Sequence, residues 1–259
     1  MKKIWGFLNA AHLAPTALVT AVSFLLAMKI SSFASALFIA LGVFLGQLIV
    51  GWSNDLHDYD DDRRHERREK PLIAGTIERA HLQKLLWMVT PVAFGVNLFG
   101  PLEIKGGAIY LFGVGCGVAY NFYFKYTALS PLPYALAFAA LPACIVISDH
   151  RSPPAWLMLA GALLGMAAHF ANGLKDLEED RASGFAGLPT RVGEFASRTS
   201  CAVLLIAATL VLHAQRSNYP ILAVGILGGI STIFAPRRIL FKILMLAALA
   251  DVFLLVQSI

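Results

Sequence analysis

The sequence predicts an all-α, polytopic membrane protein, and three observations predict it. Mean hydropathy is +0.67, and 58% of the 259 residues are hydrophobic against 14% charged, which is too apolar for a soluble domain to keep its surface wet. The apolar runs are continuous and not alternating, so they suit helices better than the strands of a barrel. Several approach the ~20 residues needed to cross hydrocarbon, where only helices and closed barrels satisfy every backbone polar group.

Nine transmembrane helices follow along the chain. The first, Gly6 to Met28, lies behind Lys2 and Lys3; a cleavable signal peptide is the competing reading, but the run exceeds an h-region and the triplet Ala34-Ser35-Ala36 falls inside the next apolar segment. The second, Phe33 to Ser53, is the run "FASALFIALGVFLGQLIVGW" and stops where a cluster of aspartates begins. The third, His81 to Phe99, resumes after a long charged loop, and the fourth, Gly107 to Phe124, ends in the aromatic stretch "YNFYFK". The fifth, Pro133 to Ser148, is short, and the sixth, Ala155 to Ala171, runs into a second acidic stretch. Thr199 to His213, Tyr219 to Ala235 and Leu240 to Val256 complete the set. Residues 1–259 read as a single transmembrane domain without low-complexity segments or a fixed-period repeat. Cys116, Cys144 and Cys201 have neither zinc-like nor disulfide-like spacing and read as packing residues. Gly42/Gly46, Gly161/Gly165 and the run Gly113, Gly115, Gly117 read as close helix contacts.

With nine spans, the N-terminus and the even-numbered loops share one side. Of the 21 basic residues only Lys29, Lys105, Arg151 and Arg216 fall on the other. The positive-inside rule therefore puts the N-terminus and the even loops in the cytoplasm of a multi-pass protein of the cell's inner membrane. The net charge of +5 reflects this topology, and no nucleic-acid signature accompanies it.

Most of the acid collects on the same side. In "NDLHDYDDDRRHERREKPL", residues 54–72, continuing the second helix past Trp52 brings Asn54, Asp55, Asp58 and Asp62 onto one face through separations of three and four. A solvated helix end is the bland reading. Against it, stacked carboxylates repel one another and sit at the negative end of the helix dipole, an arrangement that calls for a cation. In "HFANGLKDLEEDRASG" the same rhythm links His169, Asn172, Asp176, Asp180 and Gly184. Two such faces converging on one cavity make an oxygen-rich site suited to Mg²⁺, which prefers carboxylates, water and substrate phosphates. Lys70, Lys125, Lys175 and Arg181 lie beside them and suit the remaining phosphate oxygens of a diphosphate.

The motif Asn54-Asp55-x-x-Asp58-x-x-x-Asp62 resembles the N-D-x-x-D-x-x-x-D of the UbiA superfamily of intramembrane prenyltransferases, and Asp176-x-x-x-Asp180 resembles its second D-x-x-x-D. Lys70-Pro71-Leu72 is similar to that family's R-P-L with Lys for Arg, and Tyr120 to Lys125 is similar to its Tyr and Lys element with a gap one residue longer. The resemblance implies nine helices around a central cavity open to lipid, with the segment between Ser53 and Arg79 as a cytoplasmic cap. It implies two Mg²⁺ ions held by Asn54, Asp58, Asp62, Asp176 and Asp180, with Asp55 counted among the metal residues and Asp58, Asp62, Asp176 and Asp180 as the catalytic carboxylates. Lys70, Lys125, Lys175 and Arg181 would hold the diphosphate of a polyprenyl diphosphate, and Tyr120 and Tyr123, with Phe122 and Tyr126 nearby, would face the prenyl cation. An aromatic belt at the membrane interface is the other reading of that group. The second substrate would be a small lipophilic acceptor of the quinone-precursor kind, and no obligatory protein partner is indicated.

Three rivals remain open. An ion or solute transporter would place acids near the midplane on interrupted helices, whereas both clusters here lie at the cytoplasmic boundary. CDP-alcohol phosphotransferases carry a different aspartate pattern, absent around Asp176. Phosphoribosyl transfer to polyprenyl phosphate, within the same superfamily, needs the same metal-bound diphosphate. Asn9, His12 and Thr16 on the first span, with Gln47 and His169, either line the cavity or bond neighbouring helices.

Overall fold

A computed structural model of the chain describes residues 2–175, 177–182 and 187–258, and among these residues there are helices and turns but no strand. The helices are α1 (Lys2–Ala10), α2 (Leu13–Ala27), α3 (Phe33–Arg64), α4 (Arg79–Phe99), α5 (Glu103–Phe122), α6 (Pro131–Ser148), α7 (Ala155–Lys175), α8 (Leu177–Ala182), α9 (Leu188–Gln215), α10 (Tyr219–Phe234) and α11 (Arg237–Ser258), with a single 3₁₀ turn at Phe124–Tyr126. Each apolar stretch of the sequence falls on one of these bodies, α1 and α2 together covering the first. By length and composition α3, α4, α6, α7 and α9 can each cross a membrane, and the α1–α2 pair makes a sixth if counted as one span. The chain is thus a multi-pass membrane protein. Its outer faces keep large apolar side chains in contact with the surroundings, Phe99 at 82% and Phe234 at 80% exposure, as lipid-facing surfaces do.

Neighbours in sequence are mostly neighbours in space, from α2 on α3 through α6 on α7, α7 on α9 and α9 on α10; α11 then returns to α7, α9 and α2. One apolar core, with Leu26, Ile39, Val43, Leu141, Ile145 and Leu157, joins the first half of this assembly. A second, with Leu174, Leu177, Leu205, Leu240 and Leu244, joins the other half. Close approaches occur at the glycines that the spacing singled out. A Cβ on Gly161 would meet the Phe138 carbonyl, and one on Gly42 would meet the Asn97 amide, whose Nδ2 donates to Gly42 O at 3.1 Å. Gly117 faces Val50 in the same way, whereas a Cβ on Gly113 would make only ordinary contact with Ala137 and Ala140, and Gly115 faces open space.

Three departures from the sequence reading bear on the site. The first span is not one straight helix: α1 and α2 meet at 72°. His12 makes the corner with φ 53°, a left-handed conformation that costs a side chain-bearing residue free energy. Clamps from its neighbours hold it there. Thr16 Oγ1 donates to Ala11 O at 2.6 Å, Trp52 Nε1 donates to Phe7 O at 2.9 Å, and Gly51 lies flat against the Ala11 backbone. Secondly, α3 continues to Arg64 instead of stopping near Ser53. At 32 residues it is about 48 Å long, so residues 33–53 suffice for the bilayer and the acidic turns project beyond it. Thirdly, α9 begins at Leu188, ahead of the expected Thr199, and carries a break at Gly193. Residues 65–78 return over the end of α3 and are pinned there by Leu72 and Ile77, which join Ala10, Ala11, Trp52 and Leu82 in a third apolar cluster.

Candidate active site

The projecting turns of α3 carry the first acidic motif on a continuous helix, so its residues share a face by helical geometry alone. Asp55 and Asp62 are buried and Asp58 is half-buried. Each carboxylate meets its own cation, two from the returning segment and one from the turn after α5. Lys70 Nζ, on the returning segment, donates to Asp55 Oδ1 at 2.7 Å. Lys125, on the 3₁₀ turn after α5, donates to Asp58 Oδ1. Arg67 Nη1 donates to Asp62 Oδ1 at 3.0 Å. His12 Nε2 lies 3.7 Å from the Asp55 oxygen that Lys70 also holds, and the Lys175 ammonium at the end of α7 is within electrostatic reach of that imidazole. Three of the diphosphate and metal candidates outside α3 and three on it can now be placed: Asp55, Asp58, Lys70 and Lys125 converge, Asp62 joins them through Arg67, and Lys175 approaches from α7.

The remaining candidates are distributed differently. Asn54 is half-buried beside Asp55. Asp176 lies outside the described residues, as do Gly184 and the side chain of Asp180, although α8 carries the Asp180 backbone. Arg181 is exposed and lies near the Gly193 break of α9. Tyr120 packs edge-on against Tyr134 and His169, with centroids 5.0 and 5.6 Å away. Tyr123 caps α5 where the chain turns and is 73% exposed, unlike the buried or half-buried carboxylates Asp55, Asp58 and Asp62. Tyr126 is brought to them: its hydroxyl shares a 3.1 Å hydrogen bond with His57 Nε2, and Lys125 Nζ lies 5.1 Å from its ring centroid. Asp60 and Asp61 stay off the motif face, Asp60 facing Arg79 at 3.8 Å.

The charges act on one another. Burial works against the Lys70 ammonium, but the Asp55 carboxylate and its hydrogen bond, followed by Asp62 and Asp58, outweigh it and hold the group above the usual lysine range. Burial pushes the Asp62 carboxyl up, and the Asp58 and Asp55 charges add to the push while Lys70 and Arg67 oppose it. Burial and then the Asp58 and Asp61 charges push the Tyr126 phenol up to about 12. A cluster in which aspartates raise one another's ionisation cost is short of positive charge.

A divalent cation fits this donor set. Asp55 Oδ2 is buried with no hydrogen-bond partner, an orphaned acceptor beside two further carboxylates. Among the described residues no three Asp, Glu, His or Cys side chains close on one point. Mg²⁺ takes one or two carboxylates and completes its shell with water and substrate phosphate, so Asp55 and Asp58 are the side chains that would hold it here. Sequence reasoning missed Arg67 as the partner of Asp62, and it missed Ser130 and Tyr134, for which a lone hydroxyl and a lone aromatic in an apolar stretch gave no signal.

Comparison with known proteins agrees with this architecture. Solved structures align along nearly the whole chain at low identity. A UbiA homologue from Archaeoglobus fulgidus bound to GPP and Mg²⁺ has a TM-score of 0.71 and 17% identity over 98% of this chain and 100% of its own. An apo UbiA homologue from Aeropyrum pernix K1 has a TM-score of 0.77 and 15% identity over 93% and 97%. A digeranylgeranylglyceryl phosphate synthase has a TM-score of 0.70 and 16% identity over 100% and 99%. No curated protein matches the sequence. The model of the UbiA prenyltransferase family matches residues 13–248, and with the fold and the aspartate helix in agreement the chain belongs to that family.

Proposed function

We propose that the protein is a Mg²⁺-dependent intramembrane prenyltransferase, a single domain of nine membrane-spanning helices, that moves a polyprenyl group from a polyprenyl diphosphate to a lipophilic aromatic acceptor. The observation that carries this reading is the Asp55, Asp58, Asp62 face of α3, with one oxygen of Asp55 orphaned and each carboxylate matched to a cation from elsewhere. The basic-residue asymmetry supports a cytoplasmic N-terminus and site in the cell membrane. The GPP, DMAPP and Mg²⁺ bound by the Archaeoglobus homologue support the donor class and the metal.

Asn54, Asp55, Asp58 and Asp62 would hold Mg²⁺ together with Asp176 and Asp180, and the bound metal supplies charge neutralisation at the diphosphate as the allylic carbon–oxygen bond breaks. Lys70 and Lys125, now on Asp55 and Asp58, are the side chains within reach of an incoming diphosphate, and Lys175 and Arg181 add charge from the α7–α8 side. The diphosphate leaves with the bonding pair, and the prenyl C1 is left electron-poor among the α5 to α7 aromatics, Tyr120 foremost, where apolar walls exclude water. The acceptor then forms the new bond to C1 and loses its proton.

The test is pyrophosphate release by purified protein in detergent, with geranylgeranyl diphosphate and phenolic or naphthoic acceptors, with and without Mg²⁺. Metal-dependent release that Asp58→Ala and Asp176→Ala both abolish supports the reading. Release that survives both substitutions, or no turnover with Mg²⁺ bound equally by parent and variants, refutes it.

A further inference from the structure

Ser130 stands at the head of α6, fully buried, and joins three parts of the chain. Its Oγ accepts the Leu188 amide at 2.9 Å where the chain enters α9, and it lies 3.0 Å from His169 Nε2 on α7. The preceding Gly187 packs against the Lys125 carbonyl, so this junction abuts the turn that carries a diphosphate lysine. A serine oxygen can accept both the amide proton and an imidazole proton, but among the described residues Nε2 is the one acceptor within reach of the hydroxyl's own hydrogen, which assigns that hydrogen to Nε2 and the proton of the uncharged imidazole to Nδ1. That Nδ1 is buried and has no hydrogen-bond partner. A buried donor left unpaired destabilises the fold, and a ligand oxygen would remove that cost.

The surroundings say what kind of oxygen fits. Half-buried Tyr120 of α5 and Tyr134 of α6 reach the imidazole with centroids 5.6 and 5.0 Å away, so three consecutive helices present aromatic surface around one N–H. His169 also lies one turn before Asn172 on the same face of α7, nearly two turns short of the helix end at Lys175. We propose that His169 Nδ1 donates a hydrogen bond to a hydroxyl or carbonyl oxygen of an uncharged aromatic acceptor lying against Tyr120 and Tyr134. This rests on the prenyl-transfer reading and names the substrate class of that same site. His169 is thereby a specificity-determining residue, and Ser130 is what fixes its tautomer.

Two amides separate this role from a purely structural one. The Asn amide nitrogen overlays Nδ1, whereas the longer Gln reaches the position of Nε2 and keeps the Ser130 contact. The experiment measures, by calorimetry with Mg²⁺ present, the affinity of 1,4-dihydroxynaphthalene for protein loaded with a non-reacting thiolodiphosphate analogue, and separately the affinity of that analogue. His169→Gln is expected to weaken dihydroxynaphthalene by about 10-fold, the loss of one hydrogen bond, while His169→Asn stays near the parent and neither changes analogue affinity. The reverse order, equal effects of both variants, or a parent that binds the analogue but not dihydroxynaphthalene overturns the inference and leaves prenyl transfer standing. A parent with no Mg²⁺-dependent affinity for the analogue overturns both.

Discussion

Replacing Lys70 with Met strips Asp55 of its closest partner without changing the shape of the stem. Asp55 is 2% exposed and Lys70 is 21% exposed across a 2.7 Å contact. At that distance and an effective dielectric of about 20, two unit charges attract by about 6 kcal/mol before desolvation is subtracted. Breaking a buried pair from one side costs about 3–5 kcal/mol, because the survivor remains buried and unpaired. The partial exposure of Lys70 puts the expected loss near the lower figure, about 3 kcal/mol in chelator. The raised Lys70 pKa sets the pH window: the stabilisation is complete below the ordinary lysine value and is lost only as pH climbs through the higher folded-state value, so neutral pH is a fair condition. Mg²⁺ should reverse much of the deficit, since a cation on Asp55 replaces the missing ammonium; at 100 times its Kd a ligand adds about 2.7 kcal/mol. Thermal unfolding in detergent, followed by helix signal in EDTA and in Mg²⁺, reads both quantities. A variant within about 0.5 kcal/mol of the parent in EDTA, or one that gains no more from Mg²⁺ than the parent does, would refute this account of the pair.

Other expectations follow from the same geometry. Gly51→Ala drives a methyl to 2.6 Å from Ala11 Cα and should lower stability by about 1–3 kcal/mol in the same melt, because neither backbone can yield without disturbing the α1–α2 corner. Asp251 is fully buried on α11 and accepts from Thr209 Oγ1 at 2.9 Å; Asp251→Asn, which keeps an acceptor there, should stay within about 1 kcal/mol, whereas Asp251→Ala should cost about 1–3 kcal/mol by removing that buried hydrogen bond and the packing of the side chain, although the hydroxyl retains the Leu205 carbonyl at 3.0 Å. The raised Asp62 carboxyl gives a pH signature. Its folded value exceeds its unfolded one, so metal-free stability falls as pH rises through that interval, and the Mg²⁺-induced increase in melting temperature should grow over the same range and flatten above it. An increase independent of pH from 4 upward would count against Asp62 as a metal contact.

Hydropathy marks where lipid is the solvent, and it therefore located the apolar helices but not their ends, nor the short polar α8, nor the division between α1 and α2. The eleven residues of α3 beyond Ser53 are polar on most sides, so nothing apolar announces them, yet the three-and-four spacing of Asn54, Asp55, Asp58 and Asp62 requires that extension. The same spacing made the carboxylate face legible. Its partners were less so: Lys70 and Lys125 stood out beside motifs, whereas Arg67 lay in a run of arginines that gave no reason to choose one. The corner at His12 was invisible because Gly51 and Trp52, forty residues on, create it by packing against α1.

The single rod of α3 has a bearing on which changes the protein can tolerate. Its membrane half is keyed to neighbours at Gly42 and Gly51, and its carboxylates ride on the same unbroken helix. One residue inserted between Gly42 and Asp55 would swing all the aspartates by about 100° and lift them by about 1.5 Å together. The loops can drift in length over generations, but the register of this one helix is closed to insertion and deletion, and the height of the reacting groups above the hydrocarbon is inherited as a count of residues.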